Sequence, residues 1–347
     1  MRKIKWGVIG CGGIADRRTL PGMMLADNAE LVAVMDANPE FAENVKEKYN
    51  AKYAFTDAKE LLALDEIEAV YIASPVAFHK EQAFAAADAK KHILIEKPVA
   101  LTAADAEEIE AYCKKAGVKL GVGFMMRFHA YHQAIKNIIA EGKLGNIVSM
   151  RGQFTCWYPE IEGAWRQKFA TSGGGSMVDM GVHAIDVLQY VSGLKAKTVA
   201  GFASNLVFNY EVEDSCNAVM KMDNGAAMYI EANFNIPDAA ASCRLELYGT
   251  RGSILAEGTL SQVEAGKVEL RIADDSLGYN AQQDVAELNI QDLEVTFGNM
   301  YTKEIEGFGN AIINDTDVPV PANEAIFNQK IVEAVYESSK TGKFVTL

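Results

Sequence analysis

The strand-like segment Ile4–Ile9, followed at once by Gly10-Cys11-Gly12-Gly13-Ile14-Ala15, constrains the fold of this chain more than any other stretch. The first glycine permits a tight turn, the second lets backbone approach a pyrophosphate, and the small Ala15 lets the following helix pack on the strand. Glycine-rich turns are common, so the motif takes its meaning from its surroundings. Leu31–Met35 reads as a second apolar strand with Asp36 at its end, where a carboxylate accepts hydrogen bonds from an adenosine ribose. That carboxylate repels a 2′-phosphate, and Ala37, Asn38 and Pro39 supply no arginine to offset it, so NAD is expected in preference to NADP. The plainer reading of Asp36 is a cap for the next helix.

Strand and helix signals then alternate. Ala42–Tyr49 and Asp57–Ala63 read as helices, Ala69–Ala73 as a strand ending in Ser74-Pro75, and Lys80–Ala89 as a helix. Ile93–Ile95 reads as a buried strand, Ala103–Ala116 as a helix opened by Thr102, and Lys119–Gly123 as a further strand. The alternation predicts an N-terminal Rossmann-type, doubly wound parallel sheet over residues 1–123. In Ile93-Leu94-Ile95-Glu96-Lys97-Pro98-Val99, Pro98 stops the strand and holds Lys97 extended. Lys97 then falls at the carboxyl end of a strand, where open α/β sheets bind ligands, as a candidate acid or base. Ser74, Pro75 and Glu96 fall at strand ends on the same side. His79 lies just beyond one of them, either positioning the nicotinamide region or simply starting a helix.

Residues 124–347 read differently. Arg127 stands near the start of the helix Ala130–Glu141 and is expected to anchor cofactor or neighbouring backbone. His129 and His132 could share a face, but no third ligand is near, so no metal is expected. Strand-like segments follow: Gly145–Phe154, Thr198–Phe202, Asp214–Met222, Ala226–Asn233, Ser242–Tyr248 and Gly252–Ala256, with Asn224-Gly225 as a hairpin turn. They predict an α+β domain with a large, mostly antiparallel open sheet covered by helices on one face. Glu264–Asp292 is polar and receives no assignment; Tyr301–Asn314 and Glu324–Thr341 read as terminal helices covering sheet and cleft. Between the first two strands, glycines 173–175 read as a flexible turn into a helix reaching about Ser192. On that helix Asp179, His183 and Asp186 share a face, either as solvated surface or as a histidine held by carboxylate for proton transfer.

Composition excludes some classes. Apolar residues make up 49% and charged residues 23%, the balance of an ordinary globular protein. A net charge of −14 argues against a nucleic-acid backbone or an anionic membrane as partner. No apolar run approaches a membrane span, and the basic start lacks the apolar core of a signal peptide. Five scattered cysteines point to reduced thiols and a cytoplasmic setting.

Taken together, Gly10–Ala15, Glu96-Lys97-Pro98 and Gly173-Gly174-Gly175-Ser176-Met177-Val178-Asp179-Met180-Gly181-Val182-His183 resemble the glucose–fructose oxidoreductase / inositol dehydrogenase / MocA (Gfo/Idh/MocA) family of sugar and cyclitol dehydrogenases. The resemblance runs over nearly the whole chain. It implies that Lys97, Asp179 and His183 form a catalytic group between two domains. It further implies that Asp36 binds the adenosine ribose, that Glu96 lines the cofactor cleft, and that Arg127, Trp165 and Arg166 are cleft residues. Ser74-Pro75-Val76 departs from the family's usual Thr-Pro-Asn, which removes a polar side chain near the nicotinamide. Trp157, Tyr158 and Trp165 are candidates to stack on a sugar, and equally candidates for core or interface. The implied activity is NAD-dependent oxidation of a secondary alcohol on a sugar, cyclitol or sugar-derived acid. Two alternatives share the resemblance: glycoside cleavage with a recycled, tightly bound NAD, and a catalytically silent sensor of NAD or sugar. The intact Lys97, Asp179 and His183 count against the sensor. A homodimer or homotetramer formed through the outer sheet face is expected.

Overall fold

The computed structural model describes residues 2–273, 279, 281 and 289–347. The chain forms two compact units, neither of them a single stretch. One comprises Met1–Met125, Lys168–Gly173 and Asn299–Gln329; the other comprises Met126–Gln167, Gly174–Gly298 and Lys330–Leu347.

The first unit is built on a parallel sheet of six strands: β1 (Ile4–Ile9), β2 (Ala29–Met35), β3 (Tyr53–Phe55), β4 (Ala69–Ile72), β5 (His92–Glu96) and β6 (Leu120–Gly123). They lie in the order β3-β2-β1-β4-β5-β6, every neighbouring pair parallel. The order reverses between β1 and β4, and ligands bind beyond the carboxyl ends of such a switch point. Sheets of this kind are covered on both faces, which is why the inner strands read as unbroken apolar runs; β4 is wholly buried. Asn38 and Thr102 cap the helices Pro39–Tyr49 and Ala103–Ala116 by accepting first-turn N–H bonds. The helix Met300–Ile313 belongs to this unit, and its Phe308 packs on Trp6 with ring centroids 5.6 Å apart. Two glycines make room for that helix. A Cβ at Gly22 or Gly121 would stand 2.7 Å from Tyr301 or Phe308, respectively.

Among its described residues the second unit carries nine strands: β7 (Ile147–Thr155), β8 (Ala196–Ser204), β9 (Ser215–Met222), β10 (Ala227–Asn233), β11 (Arg244–Gly249), β12 (Gly252–Glu257), β13 (Lys267–Ile272), β14 (Asn289–Asp292) and β15 (Val345–Thr346). Their order is β14-β13-β12-β11-β7-β10-β9-β8-β15. Only the central β7–β10 pair is parallel; the other neighbours are antiparallel. Strands β13 and β14 come from Glu264–Asp292, which the sequence left unassigned. Val268 and Leu270 alternate inward there, a period that the charged residues between them obscure. Residues 274–278, 280 and 282–288 of that stretch lie outside the described residues. The helix Val182–Ser192 lies close on β7 because position 152 is glycine: a Cβ there would be 2.8 Å from the Ala184 Cβ. On the opposite face Phe202, Tyr229 and Tyr248 are 62%, 42% and 38% exposed. Among the described residues, no helix is long and apolar enough to cross a membrane.

Candidate active site

In the first unit the glycine loop joins β1 to the next helix. The Gly10 and Cys11 amides donate to the Met35 carbonyl at 2.8 and 3.2 Å, tying the loop to the end of β2 beside Asp36. Gly10 has φ +81°, and a Cβ there would meet the Ser74 nitrogen at 2.5 Å, so this glycine is demanded by the protein's own packing. Gly12 is different. A Cβ there would find only ordinary contacts, the nearest being Asp36 Oδ2 and Phe41 at 3.7 Å. Gly13 has φ +50° and open space around it. The space that a Cβ of Gly12 would enter, with a carboxylate oxygen on its rim, suits an adenosine ribose and pyrophosphate. Asp36 is not the helix cap, because Asn38 fills that role; Asp36 Oδ1 instead accepts the Asn38 N–H at 3.0 Å. Cys11 is fully buried, and burial together with the Asp36 charge pushes its thiol up to about 12. It contributes backbone rather than thiolate chemistry, and Ile14 leads from the glycines into the helix.

Lys97 is half-buried on the turn after β5, and the Lys97–Pro98 peptide is cis. Its neighbours are turned inward. Glu96, expected to line a cofactor cleft, receives the Tyr71 hydroxyl on one oxygen and the Lys97 N–H on the other at 3.2 Å. Gly123 makes room for it, since a Cβ there would lie 3.1 Å from the carboxyl group. His79, read either as positioning nicotinamide or as starting a helix, is the first residue of the helix His79–Asp88 and has no exposed surface. Its Nδ1 faces the Pro98 and Val99 carbonyls at 3.1 and 3.3 Å, and its Nε2 faces the Ser74 carbonyl at 2.9 Å. The imidazole therefore braces the Lys97–Pro98 turn against the Ser74–Pro75 turn at the neighbouring strand end. The Ser74 hydroxyl bonds the Gln82 side chain.

In the second unit the segment read as a regular helix opens with a π-type turn, Met177–Gly181, that carries Asp179; the α-helix starts at Val182. Such turns occur often at functional sites. His183 is 5% exposed and stands edge-on to Phe154, with ring centroids 6.0 Å apart. Asp179 is less buried, with Arg166 Nε 3.8 Å from its carboxylate. The Arg166 guanidinium lies over the Trp165 ring at 4.4 Å. Tyr158 packs on Phe234 at 5.1 Å, and burial raises its phenol, with Arg166 lowering and Asp179 raising it. Trp157 is 43% exposed and meets Phe208 edge-on at 5.2 Å. Arg166, Asp179, Trp165 and Tyr158 are thus drawn together within one unit.

Two expectations change here. Asp186 is fully buried and does not share in a solvated stripe; both its oxygens bind Arg127, from Nε at 2.9 Å and Nη2 at 2.6 Å. Arg127, expected to anchor cofactor or neighbouring backbone, instead holds this buried pair through its guanidinium and lies 5.0 Å from the Tyr190 ring centroid. Removing one partner of such a pair strands the other charge, at a cost of about 3–5 kcal/mol. His129 and His132 serve packing: His129 Nδ1 accepts the Tyr131 N–H at 3.1 Å, and His132 Nδ1 is 2.7 Å from the Met126 carbonyl. Sequence reasoning passed over Glu213, which holds the amides of the Asp179 turn, and Asp214. The Asp214 carboxylate accepts the Leu206, Val207 and Phe208 amides at 2.8–2.9 Å and so shapes the loop facing Trp157. The only signal for either was an acidic pair at a strand start.

A six-stranded switch-point sheet with a glycine loop and an acidic β2 end defines a dinucleotide-binding domain. Residues 4–124 match the oxidoreductase family's NAD-binding Rossmann fold, and residues 136–347 match its C-terminal alpha/beta domain. The chain belongs to the Gfo/Idh/MocA oxidoreductase family. It is 28% identical over 340 residues to 1,5-anhydro-D-fructose reductase of Ensifer adhaerens, covering 98% of this chain and 97% of the relative. It is 26% identical over 343 residues to D-xylose 1-dehydrogenase (NADP(+)) 2 of Haloferax volcanii, covering 99% of each. Levoglucosan dehydrogenase in complex with NADH and levoglucosan has the same fold, with a TM-score of 0.88 at 22% identity over 99% of each chain.

Proposed function

We propose that this protein oxidises a secondary alcohol of a sugar, cyclitol or sugar derivative reversibly, with NAD as hydride acceptor. The observation that carries the reading is the placement of Lys97 at the carboxyl end of β5, on a turn braced by His79 and in the sheet that holds the glycine loop. NAD, when bound, supplies the electrophilic ring carbon that takes the hydride; Asp36 and the backbone of Gly10–Ile14 hold it. Lys97 polarises the substrate oxygen, His183 or Lys97 takes the hydroxyl proton, and Asp179 orients the group. Arg166, Trp165, Tyr158 and Trp157 offer hydrogen bonds and ring faces to a sugar. The relatives' names, a reductase of an anhydro sugar and a xylose dehydrogenase, support that substrate class. The Asp36 carboxylate supports NAD over NADP, although the xylose dehydrogenase is named for NADP. Self-association as a dimer or tetramer through the sheet face bearing Phe202, Tyr229 and Tyr248 is part of the same proposal.

The test is nicotinamide absorbance with NAD or NADP against a panel of inositols, hexoses, pentoses, anhydro sugars and sugar acids. NADH formation with one class is expected, with NADP reduced more slowly. With that substrate, Lys97→Ala should bind NAD normally and lose about 10²–10⁴-fold in kcat. Turnover like that of the wild type in Lys97→Ala would reject its role. Glycoside cleavage without net NADH would replace the dehydrogenase reading.

A further inference from the structure

We propose that Glu213, backed by Tyr336, is a positioning residue that fixes where Asp179 and His183 stand. The inference rests on the reading of that pair as the groups that handle the substrate proton. Three consecutive amides at the mouth of the Met177–Gly181 turn donate to this one residue. Glu213 Oε2 accepts the Gly175 N–H at 2.8 Å, and Oε1 accepts the Met177 N–H at 2.9 Å. The Glu213 carbonyl accepts the Ser176 N–H at 3.1 Å between them. Tyr336, from the helix Ala322–Thr341, donates its hydroxyl to Glu213 Oε1 at 2.8 Å. The Asp179 N–H in turn donates to the Gly175 carbonyl at 3.0 Å, so the Asp179 backbone hangs from the segment that Glu213 holds.

The glycines of this turn are there for close approach rather than flexibility. A Cβ at Gly175 would fall 2.0 Å from the Glu213 carbonyl oxygen, and one at Gly174 would fall 2.2 Å from the Tyr336 hydroxyl. Every partner of the carboxyl group is a donor, and Glu213 is only 8% exposed. An ionised carboxylate satisfies all of them, and its charge suits the unpaired amides that open a helix. An amide in its place would turn an NH₂ toward one of the backbone N–H groups. The register of the first turn would then shift, carrying Asp179 and the start of the His183 helix with it.

Glu213→Gln is the direct test, on the full chain with NAD and the alcohol identified by the substrate panel. A displacement approaching 1 Å predicts a fall in kcat of about a hundredfold, with the KM for NAD held within about twofold because Asp36 and the glycine loop are untouched. The His183 imidazole resonances, assigned by their loss in His183→Gln, should move, while those of His79, His92, His129 and His132 stay in place. Tyr336→Phe removes one hydrogen bond and keeps the amide contacts. It should show the same pattern at about one-tenth of the size, and it decides the matter if Glu213→Gln does not fold. Unmoved His183 resonances with kcat retained, even alongside a lower Tm, would mean a merely structural role and overturn the proposal. Full activity in His183→Ala would instead overturn the reading of the proton-handling pair, and the resonance shifts would still report on Glu213.

Discussion

His132 shows how one buried residue couples this protein to acid. Its Nδ1–H donates to the Met126 carbonyl at 2.7 Å, leaving Nε2 as the acceptor for the Thr259 hydroxyl at 3.2 Å. Burial first, and then the neighbouring His129, push its pKa down to about 3. In the unfolded chain an imidazole titrates near 6.5. The stabilising neutral form is therefore fully available above about pH 6.5. As pH falls toward 3 the unfolded state takes up a proton that the folded state refuses, a loss of about 1.4 kcal/mol per pH unit for this residue. Urea melts of wild type and His132→Gln at pH 7, 5.5 and 4.5 check this. The variant should lose stability less steeply, by about one proton's worth. Residues differ in how much of their setting the sequence betrays. Lys97 and Asp36 were legible as strand-end residues, because the end of a strand is a local fact. Arg127 and His79 were not, because their partners lie 59 and 19 residues away, and proximity decides what a charge or an imidazole binds.

At the scale of elements, the glycine loop separates two reasons for having no side chain. Gly10→Ala sets a Cβ 2.5 Å from the Ser74 nitrogen at a φ of +81°. It should cost at least about 1–3 kcal/mol in stability, read as a lower Tm without ligand. Gly12→Ala meets nothing closer than 3.7 Å. It should leave the Tm of the free protein near that of the wild type, yet weaken NAD by about tenfold or more, because backbone can no longer approach the pyrophosphate. Calorimetric titration beside thermal melts distinguishes the two effects. The Gly173–Gly175 run carries the opposite lesson. Its sequence says flexible turn, whereas Glu213 and Tyr336 press on it closely enough to exclude any Cβ at positions 174 and 175. The π-type turn after it was likewise invisible, since local periodicity in 177–192 is that of an ordinary amphipathic helix.

At the scale of the molecule, the first unit is closed by a segment remote in sequence. Ile305 and Phe308 are 0% and 1% exposed and share one core cluster with Trp6, Tyr71 and Leu94. Fully burying a side chain of this size contributes about 1.5–3 kcal/mol, against a typical net stability of about 5–15 kcal/mol. A fragment ending at residue 125 should therefore fail to give a cooperative melt, and its Trp6 fluorescence should be red-shifted even in buffer. Adding residues 299–329 as a separate peptide should restore part of the native signal. A fragment with a sharp melt and blue emission by itself would contradict this account.

The sequence by itself determined the alternating strands and helices of the first 123 residues apart from the three-residue edge strand β3, together with the glycine loop, the acidic end of β2, the Glu96-Lys97-Pro98 stop and the mostly antiparallel later strands. Each of these is written in short-range terms: side-chain period, the φ freedom of glycine, the missing donor of proline. Only the tertiary structure decided that Asn299–Gln329 completes the first unit, that Asp186 pairs with Arg127, and that Glu213 holds the turn bearing Asp179. Those outcomes depend on which buried donors, acceptors and charges find one another once water is excluded, and a linear pattern does not carry that pairing.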